Sequence, residues 1–318
     1  STELDGSGIG IAIVDSGIKS DHRSFVGIAG RSRITAVTAF NNNGGNAESD
    51  QYGHGTHVSS LAAGSDGANL NIEDGTWLEN RKGVAPAANI INVRVLDDQG
   101  VGTSAQVINA IDWLYAKRAQ YNIRVVNMSL GTPAVETWRN DPLCRAVRKL
   151  TAAGIVVVAA AGNNGKTASG QKIYGAIHAP GNDPSVITVG AANTFGTDAR
   201  NDDGVTTYSS RGPTRSYYTD AEGVKRFDHL IKPDLVAPGN LLTGAYSRGS
   251  RIGRENPELR IDNGANVSRQ LMYMSGTSMA TPIVSGTAAL LLQANPKLTP
   301  NMVKMVLQYS AQRLAGFN

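Results

Sequence analysis

One cysteine, Cys144, is all that this 318-residue chain contains, so no disulfide can form within it and the core must hold by packing. That suits a cytosolic protein, or a secreted bacterial enzyme that manages without bridges. Long apolar runs are missing as well. The longest, such as IVVVAAA at 155–161, fall well short of the roughly 20 residues a membrane span needs, so no membrane partner is expected. Charge of one sign is scarce too: 30 Lys and Arg stand against 26 Asp and Glu, and the small excess is spread along the chain. With no dense basic block and no interleaved aromatics, nucleic acid is not an expected partner. There is no internal repeat and no domain linker.

What the chain does have is 36 glycines, 41% hydrophobic residues and 18% charged ones, the composition of one large α/β domain over residues 1–318. Short β-rich runs alternate with amphipathic segments, which predicts a mostly parallel sheet with helices on both faces. The strand candidates are 9–15 (IGIAIVD), 89–96, 123–130, 154–162 and 185–190, near-continuous apolar runs that suit strands buried on both sides. Val107, Ile108, Ile111, Leu114 and Tyr115 follow helical spacing, and Thr103 with Gln106 can form a capping box, so a helix is predicted over 104–120. Thr299 before Pro300 predicts a last helix over about 299–310. Two stretches near 64–82 and 196–232, rich in Gly, Asp, Asn and Ser, read as surface insertions.

Asp15 closes a hydrophobic run, at the carboxyl end of a strand where sites collect in open parallel sheets, although an aspartate there is more often a turn former or helix cap. YGHGTHVSSLAAG (52–64) sets His54 among glycines at the start of a small-residue helix. There it can act as a general base, its second ring nitrogen held by Asp15. The competing reading is a structural or metal-binding pair with His57, but no nearby Cys or His completes a metal set. YMSGTSMATP (273–282) puts Ser278 just ahead of an apolar helix. Pro282 is tolerable only near the end of the first turn, so that helix should begin at about Ser278–Met279. A hydroxyl there meets unpaired N–H groups that favour an anion, such as an acyl-transfer intermediate; otherwise it is an ordinary N-cap. Cys144, in the helix suggested by DPLCRAVRKLTAAG, reads as a small buried hydrophobe, and the arginines of 247–260 as a solvated face able to meet an acidic partner.

Taken together, IAIVDSGI, GHGTHVSSLAAG, VVNMSLG, VVVAAAGNNG, YSSRGPT, IKPDLVAPG and GTSMATP resemble the subtilisin-like serine proteases, in order and over nearly the whole chain. The resemblance implies a three-layer α/β fold with a mostly parallel twisted sheet, and a secreted serine endopeptidase of broad specificity made as a zymogen. It implies that Ser278 attacks the scissile carbonyl, His54 relays its proton, Asp15 orients the imidazolium, and Asn163 joins the Ser278 N–H as oxyanion donor. His57 is then structural. Gly100, Val101, Gly102 and Ser129, Leu130, Gly131 would offer edges to an extended peptide. The Ser129–Gly131 segment and Ala161 with Gly162 would line the pocket for the side chain before the cleaved bond.

The implied partners are protein or peptide substrates and the chain's own propeptide, and the implied location is extracellular, with the cytoplasm as the alternative. Catalysis on this reading needs no cofactor. Ser24 stands where many relatives carry an acidic calcium ligand. The 65–75 loop offers Asp66, Asn69, Asn71, Glu73 and Asp74 as hard oxygen donors, which leaves a structural calcium open beside the plainer reading of a solvated acidic loop. Ile283 and Ser60 replace a usual histidine and glycine without touching a catalytic role. A catalytically inactive peptide-binding relative would require a lost triad member, and an acid-acting serine-carboxyl peptidase would carry carboxylates in place of His54 and Asn163. Relatives add segments at both ends, so this chain, which starts at Ser1, is expected to be an internal piece of a longer translated protein.

Overall fold

The computed structural model describes residues 4–27, 30–41, 46–65, 82–261 and 267–314. Along the chain come β1 (Gly10–Asp15), β2 (Ile34–Ala39), α1 (His54–Ala63), β3 (Asn89–Arg94), α2 (Ser104–Lys117), β4 (Ile123–Met128), β5 (Thr132–Pro133), α3 (Pro142–Ala152) and β6 (Val156–Ala160). Next are β7 (His178–Ala179), β8 (Ile187–Asn193), β9 (Gly204–Val205), β10 (Tyr217–Thr219), β11 (Lys225–Phe227), β12 (Leu235–Pro238) and β13 (Leu242–Ala245). The chain closes with α4 (Arg251–Glu255), β14 (Arg260–Ile261), β15 (Leu271–Met274), α5 (Thr277–Ala294) and α6 (Pro300–Ser310). They group into two compact units: Ser1–Asn127 with Leu241–Met274 and Ser285–Lys297, and Met128–Asn240 with Ser275–Val284 and Leu298–Asn318.

In the first unit the strands run β4-β1-β3-β2, all parallel, with β1 in register from Gly10 against Asn89 to Asp15 against Arg94. Ile11, Ile13, Ile90, Ile91, Val125 and Val126 are fully buried, as their near-continuous apolar runs suggest. α2 begins where the spacing predicts, with a reciprocal box: Gln106 N donates to Thr103 Oγ1 at 3.3 Å and Thr103 N to Gln106 Oε1 at 2.8 Å. A small antiparallel sheet, β13-β15-β14, completes this unit, with β13 against α1.

The second unit has β12-β8-β6 in parallel, with β9 antiparallel on β8. Asp141 caps α3 by accepting from Cys144 N at 2.8 Å, ahead of Pro142 at the first helical position. Cys144 itself is buried and donates to Asn182 Oδ1 at 3.2 Å, and burial pushes its thiol far above the usual range, which disfavours the thiolate. Thr299 caps α6.

Three sequence expectations change. The predicted strands 123–130 and 154–162 end at Met128 and Ala160, so 129–131 and 161–163 are loops at strand ends. β2 and β12 were not among the strand candidates: β2 (ITAVTA) is interrupted by threonines, β12 (LVAP) is only four residues long and ends in proline, and both are partly exposed along their length. The 196–232 stretch carries β9 and the β10–β11 hairpin, whereas of the 64–82 stretch residues 66–81, with the five candidate calcium donors, lie outside the described residues.

Candidate active site

Asp15 is the last residue of β1 and is buried to 1% exposure; Ser16 N donates to its Oδ1 at 2.7 Å. In the same unit His54 opens α1, and its Nδ1 lies 2.8 and 3.0 Å from the two Asp15 oxygens. The approach is this close because residue 55 is glycine: a Cβ there would sit 2.2 Å from Gly17 O. Gly53 makes the preceding turn at φ 98°, a conformation that favours glycine. Burial drives the His54 imidazole toward the neutral form, but the Asp15 charge and hydrogen bond, with Asp50 behind them, outweigh it and hold its pKa above 6.5. A proton on Nδ1 bonded to Asp15 leaves Nε2 as the basic nitrogen.

Sequence reasoning missed Asp50. Its fully buried carboxylate accepts from Ser16 Oγ (2.9 Å), Gly53 N (2.7 Å), Thr56 N (2.8 Å) and Thr56 Oγ1 (2.7 Å), and so ties the end of β1 to the start of α1. Burial raises its pKa, against those four hydrogen bonds. An aspartate four residues before a histidine carries no signal of this in the sequence. His57 is buried one turn along α1, its Nε2 lying 3.1 Å from Leu242 O and 3.2 Å from Met272 O with Gly244 against the ring, which gives it no outlet to a reaction.

In the second unit Ser278 stands at the second position of α5, which starts at Thr277 rather than at Ser278–Met279. Pro282 therefore falls in the second turn, and its missing N–H leaves Ser278 O without a helical donor. The loop after β4 supplies one: Ser129 Oγ donates to Ser278 O at 2.7 Å, and Ser278 Oγ donates back to Ser129 O at 3.0 Å. Asn163 is exposed just past β6, and its Oδ1 accepts from Thr277 N at 2.9 Å and Thr277 Oγ1 at 3.0 Å. With the oxygen so committed, the amide NH2 faces outward beside Gly276 and has no protein partner among the described residues. A helix N-terminus, an outward amide donor and a hydroxyl thus sit within one strand-to-helix junction, an arrangement able to stabilise an oxyanion.

The edges differ in what they can offer. Ala161 N and O and Gly162 N and O are all engaged, with Val189 O, His178 N, Thr277 Oγ1 and Ser210 N, so this segment can wall a slot but not pair with a strand. In the first unit Val101 is tied to Asp97 through both its N–H and C=O, whereas Gly102 has no hydrogen bond among the described residues. A second residue missed by sequence reasoning, His178 of β7, donates its N–H to Ala161 O and pairs with Pro133 across β5. Its ring lies against both Gly131 and Gly162, and its Nε2 is 2.9 Å from Asn164 Nδ2. Burial lowers its pKa. The pairing of two very short strands and the bond to Ala161 O bring it there, which no local pattern announces.

Among the described residues no group of three His, Cys, Asp or Glu could hold a metal, and no helix is long and apolar enough to cross a membrane. A family model described as the subtilase family matches residues 6–318. Serine protease AprX of Bacillus subtilis (strain 168) is 38% identical over 314 residues, 96% of this chain and 61% of that protein. Subtilisin E of the same organism is 32% identical over 311 residues, 98% of this chain and 62% of that one. The chain therefore spans about three fifths of the length of these relatives. Among solved structures, sphericase matches with a TM-score of 0.69 at 28% identity, over 98% of this chain and 85% of that chain. A cold adapted subtilisin-like serine proteinase matches with 0.64 at 27% identity, over 99% and 87%. The architecture is the α/β fold of these proteins, a mainly parallel sheet with helices, as the seven segments imply.

Proposed function

Since this chain belongs to the subtilase family, we propose that it is a serine endopeptidase, with Ser278 as nucleophile, His54 as general base and acid, and Asp15 as the group that orients His54. The Ser278 oxygen bonds to the scissile carbonyl carbon while its proton passes to His54 Nε2. The tetrahedral oxyanion is held by the Ser278 N–H and the Asn163 amide. The C–N bond then breaks, the amine takes the proton from His54, and water, deprotonated by the same nitrogen, releases the acyl group from Ser278. The observation that carries this reading is the Asp15–His54 pair, whose bond at Nδ1 fixes Nε2 as the base.

Substrate lies extended along Gly100–Gly102 and Ser129–Gly131, where backbone pairing reads little sequence. The side chain before the cleaved bond enters between Gly131 and the Ala161–Gly162 wall, above His178. Protein and peptide substrates, a propeptide on the same edges and an extracellular place of action complete the proposal. The test is a casein digest with the native protein and with Ser278→Ala. Peptides from the first alone, with phenylmethylsulfonyl fluoride labelling Ser278, support the reading. Near-normal turnover by the alanine variant, or a label on another serine, overturns it.

A further inference from the structure

The 247–261 segment of the first unit, set aside above as a solvated arginine face, forms a cavity of about 550 Å³ lined by Tyr246, Arg248, Arg254, Pro257, Arg260 and Gln270 among others. Three arginines line it, and no carboxylate among the described residues does. Of the two glutamates on the segment, Glu255 is engaged by Arg251 at 2.7 Å, and neither reaches the cavity. Arg254 and Arg260 are held by backbone carbonyls, of Gly249 and Gly253, which orient them without neutralising them. Arg248 has no partner among the described residues and is exposed. Like charges gathered in this way favour an anion between them, and planar guanidinium forks match a carboxylate.

The floor is rigid. Tyr246 is 5% exposed; Gly253 lies so close that a Cβ there would be 2.2 Å from the ring, and Gly249 N donates to its hydroxyl at 3.3 Å. The Arg260 guanidinium sits 5.7 Å from the ring centroid. The cavity is also strapped to the turn that carries His54. Ser247 Oγ donates to Asp50 O at 2.6 Å, Arg251 N to Gln51 O at 2.7 Å and Ile252 N to Tyr52 O at 3.2 Å. Arg251 further bonds Gln99, next to the Gly100–Gly102 edge.

We propose that the cavity ringed by Arg248, Arg254 and Arg260 is an accessory substrate site that captures Asp or Glu side chains of a polypeptide lying along the neighbouring substrate edge. This rests on the endopeptidase reading, and it makes the enzyme selective for proteins with an acidic segment beside an otherwise unselective cleavage point.

The test uses two internally quenched peptides with the same neutral cleavage sequence, one carrying an Asp/Glu tail and the other an Asn/Gln tail. At low salt the acidic peptide should be cleaved with a kcat/KM about fivefold or more higher, mostly through KM, and the advantage should shrink as salt rises. Arg248→Glu, at an exposed position without partners among the described residues, lowers the ring from three positive charges to a net one and should erase most of the acidic preference while leaving the neutral peptide unaffected. Binding of the labelled acidic tail to the Ser278→Ala protein, read by fluorescence anisotropy, reports the cavity independently of any chemistry. If neither peptide is cleaved but the tail binds through these arginines, the endopeptidase reading fails and the anion site stands. Equal kcat/KM for both tails, a preference unchanged by Arg248→Glu, or binding of inorganic phosphate but not of the tail would each overturn the substrate site.

Discussion

Lowering the pH from 7 toward 4 should destabilise this protein through two histidines that the proposed chemistry does not use. His22 is 1% exposed; its Nδ1 accepts from Ser24 N at 3.2 Å and its Nε2 donates to Gln270 O at 2.9 Å. His57 is fully buried, with Nε2 at two carbonyls and Nδ1 without a partner among the described residues. Neither ring can take a second proton well: at His22 it would point at a backbone N–H, and at His57 into a space with no acceptor. Burial pushes both pKa values from 6.5 down to about 4. The fold therefore favours the neutral rings. Their full contribution is present above 6.5, is lost as pH falls from there to about 4, and changes no further below that.

The drop from 6.5 to about 4, at about 1.36 kcal/mol per pH unit, comes to about 3–4 kcal/mol for each histidine and about 7 kcal/mol for both. That is comparable with the whole net stability of a typical domain, about 5–15 kcal/mol. Urea unfolding of the Ser278→Ala protein, which removes self-digestion, followed by circular dichroism at pH steps from 7.5 to 4, measures it directly. His22→Gln and His57→Gln should each cost stability at pH 7 and each flatten the pH dependence by roughly half. A flat profile in the parent, or an unchanged slope in the double variant, would refute the reasoning.

Asn163→Leu should lower kcat about a hundred- to a thousand-fold with little change in KM, the size of loss measured for this donor in subtilisin itself; a raised KM at constant kcat would instead make the amide a ground-state contact. In the Ser278→Ala protein the His54 ring resonances should titrate above 6.5, and Asp15→Ala should bring that value down; no change on losing Asp15 would separate the pair. His178→Gly should raise kcat/KM for peptides with Phe before the cleaved bond relative to those with Ala, by about tenfold, since a ring is removed from the floor of the slot. Equal ratios in both proteins would place His178 outside that slot.

The legible parts of this fold were those that local chemistry dictates. β1, β3, β4, β6 and β8 show as near-continuous apolar runs because both faces of each are covered, and α2 and α6 announce their starts through Thr103 and Thr299. β2 stayed hidden because its half-exposed Thr and Ala positions make no run, and the β10–β11 hairpin because a polar stretch reads as loop. Asp15, His54, Ser278 and Asn163 stood out only as a set: each lies at the end of a strand or the start of a helix, where the residue type alone is ambiguous. Asp50 links its near neighbours Gly53 and Thr56 to the distant Ser16, and His178 is placed through a two-residue ladder; the distant halves of both are fixed by tertiary pairing rather than by spacing.

The paired bonds between Ser129 and Ser278 bear on how this serine behaves at rest. Its proton is already committed to a backbone carbonyl, so the oxygen is a donor before it can be a nucleophile. Giving up that bond costs about 0.5–1.5 kcal/mol, a small bias that a bound peptide chain offsets through its own contacts with the 129–131 loop. A small electrophile that touches only the hydroxyl has no such compensation. Reactivity toward compact phosphonylating or sulfonylating reagents should therefore understate the nucleophile, while peptide-based inhibitors that occupy the loop meet it released.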